Sequence, residues 1–278
     1  MRAPIDAATV RRLLRHEAEV HAFPGRTLRD LGDALLLVDT EEPEPFWNRV
    51  EAIRWPSETD AFDRRLAEVL VIFASYGRQP HVWALPPHDE PRDLVARLTD
   101  NGFENVGDGL LLVAHDAGRA REAVARRPLD ASLSLERLSA VSDEAARAAA
   151  RSIVDVLVEA FGVEAERGPG VVSETLVSLA DPRFTYYIVR EEGAPVAVAK
   201  RATFDGISYL SSIGTTLAVR GLGLGRHVTA LAMIDAIDAG SEWIHLGVFV
   251  DNTPARRLYE SLGFEMSGDP APDMLLLG

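Results

Sequence analysis

A chain of 278 residues, 47% hydrophobic and 26% charged, has the make-up of an ordinary globular protein and enough length for two modest domains. Its formal net charge of −14 argues against a nucleic-acid partner, because a phosphate backbone needs a basic footprint; the same field either steers a cationic acceptor such as an amine or serves only solubility. With no cysteine there is no disulfide, thiolate nucleophile or Cys-ligated zinc, and no bilayer-length apolar run or secretory leader is read, which suits a cytoplasmic protein without a membrane partner.

In chain order, the first half shows an apolar stretch at 46–55, helix-like patterns at 62–76 and 91–99, and a strand-like Trp83-Ala84-Leu85 between them. The segment 117–130, rich in Arg and Ala and broken at Pro128, reads as an exposed helix or linker. Beyond it, 133–138 alternates as a half-buried strand does. Ser142, Asp143 and Glu144 supply a cap and an acidic first turn to a helix ending at Phe161, with Gly162 as its stop. Gly168-Pro169-Gly170 marks a loop, followed by a short helix at 173–179. Strands are expected at 185–190, 195–204 and 207–218, joined by tight turns at Glu192-Gly193 and Asp205-Gly206. A helix at 223–239, a strand at 243–249, a helix from Thr253 stopped by Gly263, and two short strands complete the pattern.

The two halves share this pattern at a fixed offset. Phe103 and Phe264, each preceded by glycine, are 161 residues apart, and at that offset the helix at 62–76 covers 223–237 without a gap. A whole-domain repeat is the economical explanation. The first half lacks the polar features of the second: Thr59, Phe62 and Arg64 stand where Arg220, Gly223 and Gly225 do, Pro91 replaces Asn252, and Leu98 replaces Tyr259.

Arg220 to Gly225 reads R-G-L-G-L-G between a strand-like and a helix-like run. A glycine loop that opens a helix gathers backbone N–H groups at the positive end of the macrodipole, which suits a pyrophosphate. Gly221, Gly223 and Gly225 remove obstructing side chains, Arg220 adds charge and donors, and Leu222 and Leu224 turn toward the core. Read alone, the loop is as readily a flexible turn.

A second motif, L-G-V-F-V-D-N-T-P-A-R-R-L-Y-E-S-L-G-F at 246–264, follows it. Together the two resemble the GNAT superfamily of acyl-CoA-dependent N-acyltransferases, whose loop reads Arg/Gln-x-x-Gly-x-Gly/Ala. Arg220, Gly223 and Gly225 match that loop, and Asn252 and Tyr259 match the family's later Asn and Tyr. The resemblance implies an α/β fold of two tandem GNAT-like domains, each a mixed, mostly antiparallel sheet flanked by helices. Residues 1–116 would be a degenerate domain, 117–130 a linker and 131–278 the catalytic domain. It also implies acetyl-CoA as cosubstrate without a metal, held by Thr215, Thr216, Leu217, Arg220, Gly221, Leu222, Gly223, Leu224, Gly225, Arg226, Asn252 and Arg256. The family's splayed strand falls on Gly214 to Leu217, where its edge can pair with the pantetheine arm and a backbone N–H near Thr215 can stabilise an oxyanion.

Tyr259 is the expected catalytic acid, since a phenol can protonate a departing thiolate. Leu258 and Leu262 are expected to form the core stripe with Tyr259 beside it. The resemblance implies a primary amine, on a small molecule or peptide, as the acceptor. The general base stays unassigned: the strand 207–213 carries no acid, which leaves His245 or water relayed through Ser211 or Ser212. Glu164, Glu166, Asp269 and Asp273 are expected near the acceptor, as cation collectors or as solubilising loop acids. A non-catalytic acyl-CoA sensor or scaffold is the alternative reading, and an oligomer is possible.

Overall fold

The structure, a computed structural model, describes residues 5–86, 88–142, 144–164 and 167–277. Asp143, expected in a helix cap, and Glu166, expected near the acceptor, lie outside the described residues. The chain forms two compact units, the first made of Met1–Leu112, Gly247–Thr253 and Met266–Gly278, the second of Val113–Leu246 and Pro254–Glu265.

The first unit opens with α1 (Ala7–Ala22), capped by the Asp6 carboxylate on the Thr9 N–H. Its inward face carries His16, Glu17 and His21 beside Val10, Leu13 and Leu14, so the helix has no clean apolar stripe. Strands β1 (Thr27–Asp30), β2 (Leu35–Val38) and β3 (Arg49–Glu51) run antiparallel. Helix α2 (Thr59–Tyr76) is capped by Glu58 and stopped by Gly77, whose φ of 63° is open to glycine at little cost. It returns the chain to β4 (His81–Trp83), parallel to β3 at Val50↔Val82. Helix α3 (Leu94–Asp100) and β5 (Phe103–Ala114) follow. Trp55, Phe62, Phe73, Leu98 and Phe103 fill the core. Arg49 is fully buried, donating to Glu51 Oε2 and to the Phe46 carbonyl, both at 2.6 Å. Those bonds are what make a buried guanidinium tolerable.

The second unit begins with α4 (Gly118–Arg126), in the segment read as helix or linker, and β6 (Leu133–Leu138). Helix α5 (Glu144–Phe161) is followed by α6 (Gly168–Ala180). The expected loop at Gly168-Pro169-Gly170 is instead the first turn of α6: proline there has no N–H to waste and a φ already suited to the helix. Strands β7 (Phe184–Glu191), β8 (Ala194–Phe204) and β9 (Ile207–Thr215) join β6 as an antiparallel meander. Helix α7 (Leu224–Asp238) then crosses to β10 (Trp243–Phe249), which pairs with β9 in parallel. Helix α8 (Thr253–Leu262) and the short β11 (Glu265–Met266) follow. The last strand, β12 (Ala271–Leu276), belongs to the first unit, antiparallel to both β4 and β5.

Each unit therefore has antiparallel strands followed by a strand–helix–strand crossover into a parallel pair: β3–α2–β4 in one and β9–α7–β10 in the other. This is the mixed, mostly antiparallel sheet flanked by helices that the sequence predicts. Among the described residues, no helix is long and apolar enough to cross a membrane.

Candidate functional site

The site predicted from sequence is built where β9 meets α7. Strand β9 stays on β8 to its end, with Thr215 opposite Ala197 and the Thr216 N–H donating to the Val196 carbonyl at 3.0 Å. On its other side, the ladder to β10 runs through Trp243↔Ile207, Ile244↔Ser208 and His245↔Tyr209 and goes no further among the described residues, while β9 continues to Thr215. The edge beyond Tyr209 is thus free of a β10 partner. The strand bends earlier than expected. Its bulge falls at Ser212 and Ile213, between the Lys200↔Ser211 and Val198↔Gly214 pairs, and Ser212 takes a φ of 50°. Gly214 serves a different purpose: a Cβ there would lie 3.0 Å from the Ala160 Cβ, so its bare backbone lets α5 approach the sheet.

A short 3₁₀ turn at Leu217–Val219 leads into the glycine loop. Leu217 and Leu222 are exposed, and Leu224 is buried; Leu222 therefore does not turn into the core as expected. Gly221 and Gly223 have φ of 80° and 86°, which side chains rarely adopt. Gly223 is also the N-cap of α7, its carbonyl accepting the His227 N–H at 3.0 Å. Gly225 opens toward the Thr215 methyl and Leu258, 3.5 and 3.7 Å from where its Cβ would be. Arg220 donates to the Ala160 carbonyl at 3.0 Å, and Glu159 Oε1 accepts the Leu217 N–H at 2.6 Å. The last turn of α5 so grips both ends of the segment 217–220, a contact no sequence pattern announces.

On α8, Tyr259 is 8% exposed and Leu262 1%, while Leu258 is half-buried. The buried stripe is therefore Tyr259 and Leu262, with Leu258 turned to the glycine loop, the reverse of the expected arrangement. The Tyr259 ring meets Phe264 edge-on, with centroids 5.9 Å apart. Its hydroxyl has no hydrogen-bond partner among the described residues, and burial pushes its pKa up to about 12. Arg256 is half-buried on the same helix, and Arg226 is exposed on α7. Asn252 is exposed just before α8, donates its N–H to the Phe249 carbonyl at 3.1 Å, and clusters with the first unit.

Of the candidate bases, His245 is fully buried against the Tyr209 ring, an environment that keeps an acceptor amine away. Ser211 Oγ is buried without a hydrogen-bond partner among the described residues. Glu164 and Asp269 are exposed. Asp273, on β12, faces His81 Nε2 at 3.4 Å, so it is engaged within the first unit.

The corresponding crossover in the first unit is closed by its own chain. Asp89 is 4% exposed, and its two carboxylate oxygens accept the N–H groups of Ile53 at 2.9 Å and Leu85 at 2.6 Å. Those donors lie just past the ends of β3 and β4, and Glu90 bridges Arg54 beside them. The gap between the parallel strands is thus plugged by an internal carboxylate. Burial raises Asp89 to about 7 despite those two bonds.

Residues 150–264 match the model of the acetyltransferase (GNAT) family. A mycothiol acetyltransferase of Nocardiopsis dassonvillei is 48% identical over 54 residues, 19% of this chain and 16% of that protein. Another, from Jonesia denitrificans, is 27% identical over 192 residues, 64% of this chain and 57% of that protein. The alignments therefore span less than two thirds of these relatives. Among solved structures, a GCN5-related N-acetyltransferase from Kribbella flavida superposes with a TM-score of 0.70 at 20% identity, over 98% of this chain and 96% of its own. At that identity the likeness speaks for the fold. The glycine loop, the open β9 edge and Tyr259 all fall inside the span that matches the GNAT acetyltransferase family's model.

Proposed function

We propose that the second unit transfers an acetyl group from acetyl-CoA to a primary amine, by direct attack in a ternary complex, and that the first unit binds no acyl-CoA. The observation that carries this reading is the β9 edge left free between Tyr209 and Thr215, which ends at a loop of left-handed glycines. An extended amide-bearing arm pairs with such an edge, and a diphosphate needs the close backbone approach that those glycines permit. Thr215, Thr216 and Leu217 would hold the arm, and the 220–226 loop the diphosphate, with Arg256 as a further ligand.

Acetyl-CoA supplies the activated acyl group and a thiolate leaving group. The protein supplies position and a proton. Tyr259 keeps its proton throughout the physiological range, so the donor is always loaded when the thiolate departs. A buried phenol with no competing partner is also free to turn toward that sulfur. The amine's proton leaves by way of solvent.

Release of free thiol from acetyl-CoA, measured across a panel of amines, tests this reading. The relatives' names put mycothiol-type acceptors first in that panel, with peptide N-termini and polyamines after them. Acceptor-dependent thiol release is expected. Tight acetyl-CoA binding with no release on any acceptor would favour a sensor or scaffold instead.

A further inference from the structure

A small cavity of about 60 Å³ lies within the first unit, among α1, the turn between β1 and β2, and the chain leaving β3. Three arginines line it, Arg11 and Arg15 from α1 and Arg54 from beyond β3, with Asp30 as the one carboxylate. Arg11 and Arg15 are four residues apart, so they share a face of the helix. Arg15 donates to Asp30 Oδ2 at 2.5 Å, and the Gly32 N–H to Asp30 Oδ1 at 2.8 Å. Arg54 Nη2 in turn donates to the Gly32 carbonyl at 2.9 Å, and the Arg54 main-chain N–H to the Asp33 carbonyl at 2.7 Å. This frame fixes two guanidiniums while using one N–H of each, and a guanidinium has five. The Arg11 side chain makes no hydrogen bond among the described residues. Ala52, also in the cavity wall, holds a φ of 55°, a left-handed conformation that a side chain adopts at a cost and that recurs at ligand clamps.

We propose that this cavity is a phosphate site, taking one phosphate group, free or at the end of a phosphomonoester, with Arg11, Arg15 and Arg54 as its ligands. Size sets the first limit. A water molecule's share of volume is about 30 Å³, so the cavity admits one small group and excludes a nucleotide, whose pockets start near 300 Å³. Charge sets the second. Three guanidiniums against the Asp30 carboxylate leave an excess of two positive charges, and a phosphomonoester carries about −1.5 to −2 at neutral pH. A carboxylate ligand would balance only half of that excess. Guanidinium forks also match the paired oxygens of a phosphate. The Arg15 hydrogen bond, then the Gly32 N–H, hold the Asp30 carboxyl below its usual range, and the Arg54 charge adds to them. With a net charge of −14 the chain as a whole repels anions, so uptake here depends on these three side chains. The site gives the first unit a ligand of its own, independent of the glycine loop of the second.

The test titrates the full chain with inorganic phosphate, with glycerol 3-phosphate and with chloride at matched ionic strength, by calorimetry and by the thermal unfolding midpoint. Acetyl-CoA is present throughout at high concentration, to keep phosphate off the glycine loop. One phosphate per chain is expected, with Kd on the order of 1 mM or tighter, and a rise in midpoint that chloride does not give. Tighter binding of the ester would assign the site to phosphomonoesters, and tighter binding of the free ion to phosphate itself. Arg11→Gln and Arg54→Gln should each weaken binding by on the order of 10-fold, the value of one charge-assisted contact, and Arg54→Lys should keep part of the affinity. Arg11→Gln removes no hydrogen bond of the frame, so its midpoint without phosphate should match that of the unaltered chain. Phosphate that does no more than chloride overturns the site, as does an affinity unchanged in both Gln variants.

Discussion

The Glu159 carboxylate on α5 accepts the Leu217 backbone N–H at 2.6 Å, so the helix C-terminal turn holds the strand-to-loop junction of the candidate site. The adjacent Ala160 carbonyl takes Arg220. These two bonds set the loop before any ligand arrives, which lowers the ordering cost of binding. Glu159→Ala is expected to destabilise the protein by about 1 kcal/mol and to raise KM for acetyl-CoA several-fold with kcat little changed. Urea unfolding and steady-state kinetics check both. A loss confined to kcat would place Glu159 in the chemistry instead.

Gly214 and Ala160 are a matched pair. Adding a methyl at Gly214 puts it 3.0 Å from the Ala160 Cβ, tighter than ordinary contact. Gly214→Ala should cost about 1–3 kcal/mol by overpacking, and Ala160→Gly in the same chain should recover most of it. Additive losses in the double variant would show that the two positions do not oppose each other.

For Tyr259, burial and an unpartnered hydroxyl give a specific expectation. Tyr259→Phe keeps the ring against Phe264 and should leave the acetyl-CoA KM nearly unchanged, while kcat falls by on the order of 10². Because the phenol is pushed up to about 12, its ionisation should contribute no falling limb to the rate between pH 8 and 10. A limb in that range that disappears in the Phe variant would contradict the assignment.

Asp89 makes stability depend on pH in an unusual direction. Its folded pKa of about 7 lies above the ordinary 3.8, so the folded state holds the proton more tightly than the unfolded chain. That contribution is complete below pH 3.8 and is lost as pH rises through about 7. Between pH 5 and 8 the unaltered protein should therefore lose on the order of 2 kcal/mol from this group. Asp89→Asn cannot titrate, so its stability deficit should shrink over that interval. Denaturant unfolding at the two pH values decides it; a deficit that grows with pH contradicts the placement.

The parts legible in the sequence are those governed by local rules. The glycine loop, the strand–helix–strand order and the helix from Glu144 to Phe161 follow from caps, turns and periodicity, and β6 falls at Leu133–Leu138 as read. Helix α1 escapes such a reading because His16, Glu17 and His21 point inward and spoil the apolar period. The strand-gap plug at Asp89 and the Glu159 grip are long-range contacts between residues 36 and 58 positions apart, which no short window contains. The sequence puts Tyr259 beside the core stripe because Leu258 looks like core by composition, yet the glycine loop, not the core, is what Leu258 faces.

The central claim is that one of the two related units handles acyl-CoA and the other is closed by its own chain. Calorimetric titration of the full chain with acetyl-CoA tests it most directly. One site per chain is expected, abolished by Gly223→Val, whose branched side chain would stand in the loop at a φ of 86° and also cost some stability. Asp89→Asn should leave that single site intact. Two sites per chain, or one that survives Gly223→Val in a folded protein, would contradict the account.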